Sequence, residues 1–187
     1  MFTQGDAMQA LTFKKTITEL LKPMGFVRSK NIWYIKTEGV ITMLSLEKHP
    51  YCNGFWVETG SEIMEDDSGA CPKSTDLDIK DMFYFPKQPD KSPLYYQSFK
   101  HPPIAQKDPN LDLYNSYIDL DVIPDDMIVE ALKYNIDLKL KCFLTRQSLL
   151  DTVNGDIYYV KLGRYHKLPK YGVPQELIDK YCLRTRD

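Results

Sequence analysis

The chain has 187 residues, 43% hydrophobic and 27% charged, with a net charge of −2 and a pI near 5.9. That length fits one domain with a substantial core, and the composition is ordinary for a soluble globular protein. The near-neutral balance excludes a general basic footprint for nucleic acid, and no stretch reaches the roughly 18 apolar residues that span a bilayer.

The first element in chain order is an amphipathic helix over residues 7–22. Ala10, Phe13, Ile17, Leu20 and Met24 recur at spacings of three and four, with Leu11 and Leu21 widening the stripe. Asp6 is the expected N-cap, and Pro23 with Gly25 should stop the helix. A run of strands follows: a short edge at 26–29, then IWYIK at 32–36, VITMLSLE at 40–47 and FWVET at 55–59. Aromatic and β-branched residues suit a pleated, half-buried surface. Gly39 and the Asn53-Gly54 pair mark the turns. Short connections between successive strands imply an antiparallel meander, because parallel neighbours need a long crossover.

Residues 61–125 change character and hold eight of the twelve prolines. Strand-like fragments persist at 82–85, 94–99 and 111–122. Pro124 followed by Asp125 and Asp126 opens a second helix, with acids at the positive end of its dipole. Its stripe of Ile128, Ala131, Leu132, Ile136, Leu138 and Leu140 drifts in phase after Tyr134. Thr145 can cap a shorter helix, 157–162 fits a strand or a helical turn, and Pro174 starts a final short helix. The expected architecture is α+β: an antiparallel meander with helices packed mainly on one face, in one domain over 1–187 with a proline-rich acidic excursion at 61–125.

Charge is unevenly spread. Residues 61–126 carry fourteen Asp/Glu against six Lys/Arg, a local balance of −8 that suits a basic protein partner. Four cysteines (Cys52, Cys71, Cys142 and Cys182) follow no disulfide framework, and the opening MFTQGDAMQALTF has no signal-peptide pattern. The expected location is a reducing cytoplasm, with Cys142 in the core.

No phosphate loop, dinucleotide fingerprint, HExxH or GxSxG motif occurs. His49 and Cys52 are spaced HxxC, with Cys71 and His101 downstream, but zinc needs four converging ligands and one short pair does not supply them. Asp119 and Asp121 alternate with Leu120 and Val122, so both carboxylates should face solvent on an edge strand. No metal, cofactor or catalytic residue is assigned. Candidate ligand-binding residues are Trp33 and Trp56 on the sheet, and Arg164, His166 and Lys167 in the basic aromatic segment 164–171.

Leu21, Gly25, Phe26, Arg28 and Trp33, then Leu44, Leu46 and Lys48, then Phe55, Val57 and Gly60, form a pattern over residues 1–72. It resembles the bacterial domain-of-unknown-function family numbered 4304: a helix, a GF-x-K/R turn, an aromatic strand and two further strands. The resemblance implies the scaffold and supplies no catalytic residue. The expected function is non-enzymatic binding, immunity-like in that an acidic protein neutralises a basic one. The alternative is an enzyme or sensor for a small anion using segment 164–171.

Overall fold

The structure, a computed structural model, describes residues 9–37, 39–64, 77–86, 114–115, 117–155, 169, 174–176 and 179. The fold is α+β, with a six-stranded antiparallel sheet and helices gathered over one of its faces.

Helix α1 (Ala10–Leu21) buries Phe13, Ile17 and Leu21, a single line spaced by four residues. Leu11, expected to widen that line, is 76% exposed; two positions before Phe13, it projects from the far side of the helix. Asp6 lies outside the described residues, and Gln9 is the N-cap, with no side-chain hydrogen bond. As expected, the α-helix stops at Leu21, just before Pro23. The chain then tightens into a 3-10 turn over Lys22–Met24, and Gly25 ends that turn at φ 89°, a conformation open to glycine.

Strands β1 (Val27–Ser29), β2 (Ile32–Thr37), β3 (Val40–Lys48) and β4 (Gly54–Ile63) form the expected meander. Strand β4 outruns its expected end at Thr59 because Gly60–Ile63 pair with Val40–Met43 of β3, and two later strands share its far edge. Strand β5 (Ile79–Met82) pairs with Glu58–Ser61, and the strand over Tyr117–Asp119 pairs with Gly54–Trp56. The strand expected at 82–85 is divided instead. Met82 closes β5, while β6 (Phe85–Pro86) pairs with β7 (Tyr114–Asn115) in a separate two-stranded sheet, which makes Tyr117–Asp119 β8. The expected strand at 94–99 lies outside the described residues.

Gly54 does not serve the turn conformation expected of an Asn-Gly pair, since the positive-φ glycines among the described residues are Gly25 and Gly39. A Cβ on Gly54 would stand 2.0 Å from the Ile118 carbonyl oxygen, and one on Gly60 would stand 2.2 Å from that of Ile79. The two glycines admit β8 and β5 against β4.

Helix α2 (Asp125–Leu138) begins after Pro124 and buries Ile128, Leu132 and Ile136. The phase drift after Tyr134 has a cause: the helix stops, and a 3-10 turn follows over Leu140–Phe143. Helix α3 (Arg146–Gly155) is capped as expected, with the Thr145 hydroxyl accepting from Ser148 N–H at 3.1 Å and the Ser148 hydroxyl accepting from Thr145 N–H at 3.2 Å. Helices α1 and α2 and the turn at Leu140 join Trp33, Leu44, Phe55 and Val57 in one apolar cluster. On the opposite face, Ile41 and Met43 are buried as well.

Two polar devices hold the later helices to the sheet. Thr42 and Ser61, 3.1 Å apart, both donate to the Phe143 carbonyl, and Thr37 donates to that of Leu144 at 2.6 Å. These carbonyls close a helical turn, where side-chain donors commonly meet the terminal C=O groups. The second device grips the bend between β5 and β6. Asn135 donates to Tyr84 O and Ala131 O, each at 2.8 Å, and accepts from Tyr84 N–H at 2.9 Å. One turn on, Lys139 pairs with Asp81 at 2.8 Å, donates to Met82 O, and lies 3.7 Å from the centre of the Tyr84 ring.

Candidate functional site

A cluster of polar and aromatic residues lies where β3 turns into β4. His49 N–H donates to Gly54 O at 2.9 Å and closes the turn. Strand β8 is stitched beside it: Leu120 N–H donates to Asn53 O at 3.0 Å, and Asn53 Nδ2 donates to Asp121 Oδ1 at 2.8 Å. The stitching brings Tyr117 and Asp119 against a turn more than sixty positions earlier in the chain.

His49 is buried in an aromatic nest. Its ring stacks on Tyr117 with centroids 4.4 Å apart, tilts against Trp56 at 4.6 Å, and meets Tyr51 edge-on at 6.0 Å. Nδ1 lies 3.3 Å from Tyr51 N and 3.2 Å from Cys52 Sγ. A backbone N–H can only donate, so Nδ1 carries the lone pair and the ring proton of the neutral form sits on Nε2. Burial lowers the His49 pKa, and the Asp119 carboxylate opposes that more weakly. His49 is therefore neutral at neutral pH and presents a base to the Cys52 thiol.

Around this pair, Tyr51 is 61% exposed and Trp56 half-buried. The arrangement can offer aromatic surface to a partner and a basic nitrogen to a thiol. Among the described residues no group of three His, Cys, Asp or Glu side chains is placed to hold a metal ion.

Of the residues expected to bind ligand, the two that are described, Trp33 and Trp56, do not come together. Trp33 lies on the helix-covered face at 1% exposure, and its Nε1 donates to Thr18 Oγ1 at 2.9 Å. In the register Trp33 opposes Leu44 while Trp56 opposes Glu47, which puts the two tryptophans on opposite faces. Arg164, His166 and Lys167 lie outside the described residues, as do Cys71, His101 and Cys182. Asp119 and Asp121 do not share a solvent face: β8 ends at Asp119, which is 2% exposed and accepts from Asp121 N–H at 3.0 Å, while Asp121 is exposed. Cys142, expected in the core, is half-buried on the 3-10 turn. Tyr117 and Asp119 are the site residues that sequence reasoning missed as partners of His49.

Comparison of the chain with protein-family models, with curated proteins and with solved structures finds no match. No described helix is long and apolar enough to cross a membrane.

Proposed function

We propose that this chain is a non-enzymatic binding protein, immunity-like in character, that engages a basic protein partner through the β3–β4 end of its sheet. The observation that carries this is the exposed Tyr51 on the nest of His49, Trp56 and Tyr117. Tyrosine and tryptophan dominate interface energetics when anchored on a rigid support. The −8 balance of residues 61–126 adds charge that would steer a basic partner. The other buried polar side chains described above hold the fold: the hydroxyls bind helix-end carbonyls, and Asn135 and Lys139 fasten a strand bend. The resemblance of residues 1–72 to the family numbered 4304 supports a scaffold and adds no catalytic group.

Affinity capture with the intact chain tests the proposal, at about 50 mM and about 150 mM salt. A basic protein should be retained at the lower salt, more weakly at the higher, and lost from the Tyr51→Ala and Trp56→Ala variants. Recovery of no protein at either salt, or equal recovery by the folded variants, overturns it.

A further inference from the structure

We propose that Cys52 is a modification site, a thiol primed by His49 to exchange with small disulfides. The inference stands apart from the binding proposal, because it rests on the interior of the turn rather than on its outer surface.

Three observations carry it. First, Cys52 is a half-buried thiol outside any disulfide, with Sγ 3.2 Å from His49 Nδ1. The Tyr51 N–H fixes that nitrogen as the unprotonated one. Second, the base is held rigidly by its stack on Tyr117 and its contact with Trp56; burial disfavours its protonated form, and the Asp119 carboxylate offsets part of that. Third, a glycine lets the sulfur sit close against the backbone of the turn, since a Cβ on Gly54 would stand 2.9 Å from Sγ. Cys142 is an internal control. It is likewise half-buried and outside any disulfide, but its thiol donates at 3.1 Å to the Leu138 carbonyl, which cannot carry the proton away.

In the exchange, the Cys52 S–H proton passes to His49 Nδ1 and the sulfur attacks one sulfur of the incoming disulfide. A new S–S bond forms as the old one breaks, and the second sulfur leaves as a thiolate with the bonding pair. Cys52 is oxidised to a mixed disulfide and the departing half is reduced. The imidazolium then returns its proton to solvent.

The test treats the native chain with dithiodipyridine under pseudo-first-order conditions and follows each cysteine by peptide mass spectrometry. Cys52 should react roughly tenfold or more faster than Cys142, a modest share of what a positioned base can supply. In urea that ratio should fall to about one. His49→Asn should bring the Cys52 rate down to that of Cys142 and leave Cys142 unchanged. Asp119→Asn should slow Cys52 by less, and it decides the matter with the native-to-urea ratio if His49→Asn fails to fold. Equal native rates at the two cysteines, or a Cys52 rate untouched by both substitutions, overturn the proposal.

Discussion

Replacing Asn135 with alanine puts the clamp on the β5–β6 bend to a quantitative test. Asn135 is 1% exposed, and its amide serves both the N–H and the C=O of Tyr84. Alanine leaves both groups without that partner. A buried polar group stripped of its hydrogen bond costs about 1–3 kcal/mol. Tyr84 is half-buried, so water can partly replace the amide, and the expected loss is about 3 kcal/mol for the two groups together. Equilibrium urea unfolding, followed by tryptophan fluorescence and extrapolated linearly, measures it. Asn135→Asp sharpens the test. The near-isosteric carboxylate can still accept from Tyr84 N–H, but its second oxygen meets the carbonyl oxygens of Tyr84 and Ala131. At pH 7 it should cost at least as much as alanine; near pH 4, where a carboxyl begins to protonate and can donate, part of the loss relative to wild type should return. A cost for Asn135→Ala below about 1 kcal/mol, or an Asn135→Asp deficit that ignores pH, would refute the assignment of the amide as a two-sided clamp.

Other perturbations probe the same framework. Lys139→Met leaves Asp81 without its 2.8 Å partner where both side chains are nearly buried, so it should cost about 3–5 kcal/mol, and a second change, Asp81→Leu, should recover much of it; strictly additive costs in that cycle would contradict the pairing. Gly60→Ala sets a Cβ against the Ile79 carbonyl and should cost about 1–3 kcal/mol, with amide exchange rising first along β5; unchanged exchange there would show that β5 yields freely. Burial, aided by Asp81, pushes the Tyr84 phenol up to about 12 from 10.0, so the fold prefers the neutral phenol. Its contribution is full below pH 10.0 and fades as pH rises towards 12; an ultraviolet titration should show a late phenolate phase that Tyr84→Phe removes. For His49 the folded pKa lies below 6.5, so the unfolded chain binds the proton first. Stability should be full above pH 6.5 and decline as pH falls below it. His49→Asn should flatten that slope, and an unaltered slope would place the titration elsewhere.

Much of the scaffold was legible because local chemistry and global fold agree there. Ile32 to Lys36 have strand-forming side chains, Gly25 and Gly39 sit where φ turns positive, and Pro124 with two acids opens a helix. What escaped was set by distance along the chain. Nothing near Tyr117 announces that it will pair with Trp56, so neither the shared edge of β4 nor the neighbours of His49 could be foreseen. Gly54 looked like a turn residue because Asn-Gly usually is one, whereas here the decisive contact comes from Ile118. Nothing in the hydropathy of Asn135 and Lys139 announces an inward role, which the bend at Tyr84 gives them. Of the candidate site, the spacing of His49 and Cys52 was visible and the base–thiol contact was not. Trp33 was offered as a binding residue because an aromatic residue on a strand suits a core and a surface equally well.

The row of hydroxyls at Thr37, Thr42 and Ser61 also bears on synthesis from the ribosome. Their partners at Phe143 and Leu144 lie 82 to 107 positions further along the chain. The first hairpins can close while the acceptors for those hydroxyls are still untranslated. Until they arrive, part of the face bearing Val57 and Leu44 waits for its cover, and the late closure of a long loop governs how fast the native face is sealed. A nascent chain that has emerged from the ribosome only up to a point before Leu144 should therefore bind a hydrophobic-patch chaperone more strongly than one that has emerged past Gly155, which crosslinking of arrested chains can read directly.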